Sequence, residues 1–121
     1  MVAFRPEGWP HVIPRIITDD VDGLVAFLRT VFDARGENRG GAPAEMKIGD
    51  SVVMVSDGGG QREKWPAFLY VYVDDVDVIH QRAMRLGARS VEEPLDTPYG
   101  DRRATFADDW GNMWQIAARL A

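Results

Sequence analysis

The tetrapeptide Asp-Asp-Val-Asp occurs twice in the sequence, at 19–22 and at 74–77. Each copy follows a run of β-branched, aliphatic and aromatic residues that is typical of a buried strand. Each copy also precedes apolar residues spaced three and four apart, which form one stripe of an amphipathic helix. Aspartate is a favoured acceptor for the free amide groups at a helix start. The sequence therefore predicts the same strand–helix unit twice.

The segments that follow the two predicted helices also correspond. Residues 49–55 and 111–117 each read as a tight turn that enters a final strand. The first match has an offset of 55 residues and the second an offset of 62, so the second copy carries about seven extra residues, which we place around 94–100. Two matches in the same order indicate an internal duplication.

The duplication predicts an α+β fold made of two tandem βαβββ modules within one domain, residues 1–121. Module 1 covers about 10–57 and module 2 about 65–120. A helix can cover only one face of each sheet, so we expect the helices on the outer face and a curved mixed sheet around an open cleft. The predicted strands are 11–18, 43–48, 51–56, 69–73, 102–107 and 113–118, and the predicted helices are 20–34 and 76–86. We interpret 90–99 as a long loop with room for a short strand.

Composition narrows the classes of function. The net charge of −5 argues against a nucleic-acid partner, which would favour a basic face. No apolar run approaches the length of a membrane span, so no membrane partner is expected. The chain has no cysteine, which removes disulfides and thiolate chemistry and weakly favours a cytoplasmic location.

Several motifs together resemble the vicinal oxygen chelate superfamily, the glyoxalase/bleomycin resistance/dioxygenase group. They are the paired modules, the segment Leu-Tyr-Val-Tyr-Val-Asp-Asp-Val-Asp at 69–77, Tyr-Gly-Asp-Arg at 99–102, and the turn and strand at 108–117. The resemblance covers nearly the whole chain. It implies a homodimer, or tightly paired modules, whose sheets form ligand clefts.

Enzymes of that superfamily hold a divalent metal with His, Glu or Gln side chains, and the resemblance carries those positions to Ile13, Val53, Phe68 and Gln115. Three of these four residues cannot coordinate a metal, so the chain is predicted to be a metal-deficient member with no cofactor. A shift of two residues in the first strand would instead make His11 a ligand, with Glu45 and Gln115 as partners. Glu45 is also the candidate general base, because it is the carboxylate predicted to face the cleft.

Alternation along the strands predicts which side chains face the cleft. If Leu69 and Val71 pack on the second helix, then Phe68, Tyr70 and Tyr72 point to the open face and could stack on a planar ligand. Alternatively, these aromatic side chains fill the core of a dimer. The predicted ligand-binding residues are Ile13, Arg15, Glu45, Trp65, Phe68, Tyr70, Tyr72, Arg103, Met113 and Gln115.

Arg15 and Glu45 also have an alternative assignment, in which they pair with each other rather than with a ligand, the more frequent arrangement for a buried pair of opposite charges. His80 falls in the middle of the second helix among charged neighbours and is expected to be solvated.

The sequence favours binding over catalysis. The first hypothesis is a metal-independent protein that sequesters a planar or aromatic small molecule in a dimer cleft, with a role in antibiotic resistance as the resemblance suggests. The alternatives are a metal-dependent lyase, epimerase or dioxygenase of the same superfamily, and an orphan structural dimer with a filled cleft.

Overall fold

The computed structural model describes residues 3–60 and 62–121. The elements of the first half are β1 (Arg15–Ile17), α1 (Val21–Phe32), β2 (Ala44–Ile48) and β3 (Ser51–Ser56), followed by a single 3-10 turn at Gly58–Gly60. Those of the second half are β4 (Phe68–Tyr72), α2 (Val76–Arg85), β5 (Arg89–Asp96), β6 (Asp101–Ala107) and β7 (Met113–Arg119). The chain thus forms two helices and two mixed sheets, which confirms the α+β class.

The two sheets repeat the same topology. The first has the strand order β1-β3-β2 and the second β4-β7-β6-β5. In each, the first strand runs parallel to the last strand of its half, and the last two strands are antiparallel. The counterpart of β5 in the first half is reduced to one antiparallel bridge between Arg35 and Lys47. The duplication in the sequence is therefore also a duplication of strand order.

The repeated aspartates begin the helices, as their chemistry predicts. Asp20 accepts from the backbone N–H of Gly23 at 3.1 Å, and Asp75 accepts from that of Val78 at 3.2 Å. Each side chain satisfies one amide that has no partner inside its helix. The end of α2 also agrees with the sequence, because Gly87 adopts a positive φ of 90° just beyond it.

The core joins the two halves of the chain. Helix α1 brings Phe27 within 6.1 Å of Phe106 and Phe32 within 5.2 Å of Trp114, measured between ring centroids. Trp114 is fully buried and donates its indole N–H to Asp108 Oδ2 at 2.8 Å. The first helix therefore packs on the second sheet, and both halves share one hydrophobic cluster.

The structure corrects the prediction of a long loop over 90–99, because β5 extends through Arg89–Asp96. Pro94 obscured this strand in the sequence. Proline removes a backbone donor and is tolerated where a strand has no neighbour on one side, and β5 is the edge strand of its sheet. Two register irregularities, between Ser90 and Glu92 and between Glu92 and Leu95, further blur its alternation.

The prediction that His80 is solvated is also wrong. Its side chain is buried between α2 and β5, and its Nε2 lies 3.0 Å from Ser90 Oγ. The error follows from the missed strand, because a loop at this place would have left the histidine uncovered.

The largest differences from the predicted boundaries are in β1 and α1, and the other predicted elements differ by at most one residue at an end. Strand β1 has three residues and begins only after Pro14. Helix α1 ends at Phe32 because Asp33 takes a left-handed conformation with φ 54°. Among the described residues, no helix combines the length and apolarity needed to cross a membrane.

Candidate functional site

The outward face of β4 carries three exposed aromatic side chains. Phe68, Tyr70 and Tyr72 are 62%, 41% and 60% exposed, whereas Leu69 and Val71 pack against the core. This is the alternation predicted from the sequence. In the neighbouring strand β7, Met113 lies beside Phe68 and Gln115 beside Tyr70. We call this surface of the second sheet, formed by Phe68, Tyr70, Tyr72 and their neighbours, the tyrosine face.

A buried carboxylate organises the tyrosine face. Asp101, at the start of β6, is 2% exposed, and its Oδ2 accepts hydrogen bonds from the hydroxyls of Tyr70 at 2.8 Å and Tyr72 at 2.9 Å. The two rings meet edge to face, with centroids 5.6 Å apart, a favourable aromatic geometry. The shared acceptor fixes the orientation of both rings before any ligand arrives.

A second group of polar side chains continues the network along β5 and β6. Arg103 makes a two-pronged ion pair with Glu92, both N···O distances being 2.7 Å. Thr105 donates to the same carboxylate at 3.2 Å. Arg103 also donates to the hydroxyl of Tyr99 at 2.9 Å, and that hydroxyl lies 3.1 Å from the hydroxyl of Tyr70. Hydrogen bonds thus connect Asp101, the tyrosine hydroxyls, Arg103 and Glu92 into one continuous network on this face.

The network shifts the acidity of its members. Desolvation, together with hydrogen bonds to Tyr99 and Asp101, raises the pKa of Tyr70. The hydrogen bond to Asp101 raises the pKa of Tyr72, because ionisation would place two anions together. Hydrogen bonds with Tyr70 and Arg103 lower the pKa of Tyr99, and those from Arg103 lower the pKa of Glu92. Tyr99 is therefore the most acidic of the three tyrosines.

The second oxygen of Asp101 is left without a partner. Its Oδ1 is buried and accepts no hydrogen bond from the residues that the structure describes, and the exposed guanidinium of Arg119 has its Nε 3.9 Å away. A buried carboxylate oxygen without a hydrogen bond raises the free energy of the folded protein, so a hydrogen bond to it from a donor group would be favourable. One acceptor atom of this carboxylate is therefore left unsatisfied beside the two tyrosine hydroxyls.

A cavity of about 340 Å³ borders the tyrosine face along the free edge of β4. It lies between residues 69–72 and the turn at Gly49 and Asp50 that joins β2 to β3. Its volume lies at the lower end of the range for small-molecule pockets. Tyr70 and Tyr72 thus border both the exposed face of the sheet and this cavity.

The other predicted site residues lie on or near the first sheet. The register places Arg15 and Glu45 on either side of Met54, so both share the face away from the core. They do not pair, and that alternative assignment is wrong. Glu45 instead pairs with Arg39 at 3.0 Å, and Arg15 donates its Nε–H to Ser56 Oγ at 3.1 Å.

Three further candidates lie just outside the strands. Ile13 is half-buried before β1, and His11 is exposed with its ring 5.6 Å from that of Phe4. Trp65 is 68% exposed, while its backbone pairs with that of Ile17. Their roles in ligand binding stay predictions.

The residues at the superfamily's metal positions do not fit a metal. Val53 is buried in the core, so it points away from the open face as well as lacking a donor atom. Phe68 and Ile13 are apolar, which leaves Gln115 as the one possible ligand of the four. Nowhere in residues 3–60 and 62–121 do three His, Asp or Glu side chains converge as a metal site requires. In the alternative set, Glu45 is paired with Arg39 and His11 is exposed outside the strands.

Sequence reasoning missed Glu92, Tyr99 and Asp101 as members of the site. Glu92 and Tyr99 fell in the segment interpreted as a loop. Tyr99 and Asp101 belong to the motif Tyr-Gly-Asp-Arg, which carried the resemblance to the superfamily but no assigned role. The motif identifies these residues as typical of the superfamily, but only the folded sheet shows that the tyrosine hydroxyls lie within hydrogen-bonding distance of Asp101.

Comparisons with known proteins agree with the fold. Residues 8–116 match the Glyoxalase/Bleomycin resistance protein/Dioxygenase superfamily. The structure is similar to TioX from Micromonospora sp. ML1, with 27% sequence identity, a TM-score of 0.76, and coverage of 92% of this chain and 99% of TioX. It is also similar to the fosfomycin resistance protein FosX from Mesorhizobium loti, with 25% identity, a TM-score of 0.65, and coverage of 94% and 93%. An uncharacterised protein of Mycobacterium tuberculosis is 29% identical in an alignment of 124 positions, and the alignment covers 88% of this chain and 73% of that protein.

Proposed function

The chain belongs to the Glyoxalase/Bleomycin resistance protein/Dioxygenase superfamily, and on this premise we propose that it is a metal-independent binding protein for a planar or aromatic small molecule. The observation that carries the proposal is the tyrosine face. Three aromatic side chains are exposed on one strand, and the buried carboxylate of Asp101 accepts hydrogen bonds from two of them. Monomeric proteins rarely expose contiguous apolar surface of this kind without a binding role.

The composition of the face supports a ligand with a flat apolar body and a few polar groups. Phe68, Tyr70 and Tyr72 offer ring surface, and each stacked pair contributes about 1 kcal/mol beyond the buried area. Gln115, Arg103 and the hydroxyl of Tyr99 offer sparse polar groups for orientation. Small-molecule pockets commonly have this composition.

Binding without a metal is supported by the side chains at the superfamily's ligand positions. Three of the four have no donor atom, so the chemistry of a metal-bound substrate has no support from this chain's own residues. The pre-arranged hydrogen bonds of the tyrosine face suit affinity instead, because little side-chain entropy remains to be lost on binding.

We propose further that the protein sequesters its ligand as a homodimer, with a second copy closing the cleft over the tyrosine face. Exposed aromatic side chains on the edge strand β4 and just before it support this, because such surface is costly to leave in water. FosX is described as a fosfomycin resistance protein, and a resistance role through sequestration is the corresponding proposal here.

The test uses an unusual feature of the composition: the chain has three tyrosines, and Tyr70, Tyr72 and Tyr99 all belong to this one network. Ultraviolet difference spectra of tyrosine therefore report on the candidate site alone. A panel of planar heteroaromatic compounds would be titrated into chelator-treated protein, with affinity measured by calorimetry in parallel. We expect saturable binding with a tyrosine difference signal, and the same affinity with or without added Zn²⁺ or Mn²⁺.

Matched variants locate the binding. Tyr72→Ala should weaken binding about tenfold, since one stacking contact is lost and Tyr70 loses the edge-to-face contact that helps to position it. Phe4→Ala, which removes a side chain that is 84% exposed outside the strands, should leave the affinity unchanged. Binding that appears only after metal is added, or that survives Tyr72→Ala intact, would contradict the proposal.

A further inference from the structure

A second and larger cavity lies on the other half of the chain. It has a volume of about 630 Å³, and its lining includes Asn38, residues 40–43, residues 56–59 and Arg62. This volume lies within the range that encloses a whole small molecule. None of the residues of the tyrosine face lines it, so it is a separate place in the fold.

Arg15 enters this cavity in a fixed position. Its Nε–H is donated to Ser56 Oγ at 3.1 Å, which leaves the terminal N–H groups of its guanidinium free of that bond. Ser56 is 6% exposed and accepts a further hydrogen bond from the backbone N–H of Gly58. Its own hydroxyl hydrogen has no acceptor among the described residues. Arg15 and Ser56 therefore both present hydrogen-bond donors that have no acceptor within the described residues.

Arg62 brings a second positive charge to the same cavity. It lies close over Gly58, where a Cβ atom would come within 2.9 Å of Arg62 Cβ and where φ is +71°, a conformation that favours glycine. Within the described part of the chain, no carboxylate lies within 4.0 Å of either guanidinium. The whole chain has a net charge of −5, so these two guanidinium groups make a locally positive region on a negatively charged protein.

Asp57 also lines the cavity, but its Oδ1 is held by the backbone N–H of Gly59 at 2.8 Å. The lining therefore carries two guanidinium groups against one carboxylate that already has a partner. We propose that this cavity binds an organic anion, with a phosphate or carboxylate head between Arg15 and Arg62 and an uncharged body in the remaining volume. Guanidinium groups match both kinds of oxyanion through paired N–H donors.

The test is a calorimetric titration of the full chain in a buffer free of phosphate and carboxylates. The probes are phenyl phosphate, benzoate and the uncharged benzyl alcohol. We expect saturable binding of one anion per chain, competition by inorganic phosphate, and no binding of benzyl alcohol at the same concentration. The ratio of the affinities for phenyl phosphate and benzoate distinguishes a phosphate head from a carboxylate head.

Four variants locate the site. Arg15→Gln and Arg62→Gln should each weaken binding at least about tenfold, the loss expected for one charged hydrogen bond. Asp57→Asn should strengthen it, because a nearby negative charge is removed. Arg89→Gln, which removes an exposed arginine on β5, is the control for net charge and should leave binding unchanged.

The proposal fails if neither anion binds saturably, or if Arg89→Gln weakens binding as much as Arg15→Gln does. Tyr72→Ala should have no effect on the anions, and an effect there would place them on the tyrosine face and overturn this inference. The outcome is independent of the proposed function, because the two cavities are probed by different variants. Thermal unfolding of each variant confirms that it is folded.

Discussion

At the scale of single residues, Asp101 has the largest influence on the tyrosine face. One oxygen orients two tyrosines, and the carboxylate lies almost entirely out of contact with solvent. Desolvation is the largest cause of the raised pKa of Tyr70, and the hydrogen bond to Asp101 adds to it; for Tyr72 the hydrogen bond to Asp101 is the largest cause, because a carboxylate acceptor stabilises the protonated phenol. The residue therefore couples the shape of the face to its protonation state.

Asp101→Asn is expected to lower the pKa of Tyr70 and Tyr72 towards the usual value, because the negative acceptor is gone. The measurement is a spectrophotometric titration of tyrosinate. In the original protein, Tyr99 should ionise at the lowest pH of the three, and Tyr70 and Tyr72 should ionise at a pH above the ordinary pKa of tyrosine. Asp96→Asn, a change in an exposed carboxylate that pairs with Arg102, is the control. An unchanged titration in Asp101→Asn would mean that the hydrogen bonds do not persist in solution.

Glu92 provides a pH-dependent contribution to stability. Arg103 holds its pKa below the ordinary value of 4.5 in the folded protein. A group with a lowered folded pKa binds fewer protons folded than unfolded, so its contribution is fully present above about pH 4.5 and is lost as the pH falls through the folded pKa.

The stability gap between the original protein and Glu92→Gln should therefore be constant at neutral pH and shrink in acid. Urea unfolding over a series of pH values measures it. Glu63→Gln, which alters an exposed carboxylate, should show no such trend. A gap that stays constant into acid would show that the ion pair with Arg103 contributes nothing to stability.

At the scale of elements, the two helix caps are similar in sequence but differ in their surroundings. Both aspartates bind a helix amide, but Asp20 also accepts from the indole N–H of Trp110 at 2.9 Å. Gly23 permits this contact, because a Cβ atom at that position would lie 2.2 Å from Asp20 Oδ2 and 2.9 Å from the Trp110 ring. The first cap therefore ties α1 to the turn between β6 and β7.

Asp75→Ala is expected to cost about 1 kcal/mol of unfolding free energy, the usual value of a lost cap. Asp20→Ala should cost about 1 kcal/mol more, since the hydrogen bond of Trp110 is lost as well. Chemical denaturation measures both. Asp74→Ala, a change in the exposed residue beside the second cap, is the matched control. Equal losses for Asp20 and Asp75 would show that the contact with Trp110 adds no stability.

At the scale of the whole molecule, the two halves are joined by aromatic packing rather than by a shared sheet. Phe27 and Phe32 on α1 meet Phe106, Trp110 and Trp114 of the second half. Burial of large aromatic side chains dominates core energetics. We therefore expect residues 1–121 to unfold as one domain.

Phe32→Ala should lower the unfolding free energy by about 3 to 5 kcal/mol, the usual cost of removing a buried aromatic side chain. Tryptophan fluorescence, which includes Trp110 and Trp114 of the second half, and far-ultraviolet circular dichroism should shift together. A second half that keeps its original transition while the first unfolds would contradict a single cooperative unit.

Much of this fold was readable in the sequence, for identifiable reasons. The strand at 51–56 agrees with the prediction, and the helix caps and the outward direction of Tyr70 and Tyr72 do as well. Each of these depends on residues close together in the chain, where alternation, helical spacing and capping chemistry act locally. The β5 strand was missed because it contains a proline, which a sheet tolerates at an edge strand. Which strand lies at the edge is known only from the folded sheet.

The sequence by itself determined the duplicated unit, the α+β class and the superfamily, because these follow from patterns repeated along the chain. The tertiary structure alone decided the chemistry of the tyrosine face and of the cavity that contains Arg15 and Arg62. Asp101 meets Tyr70 across 31 residues of chain, Arg103 meets Glu92 across 11, and Arg15 meets Ser56 across 41. Hydrogen bonds and ion pairs act over a few ångströms, so these partners are defined only once the strands have been placed side by side.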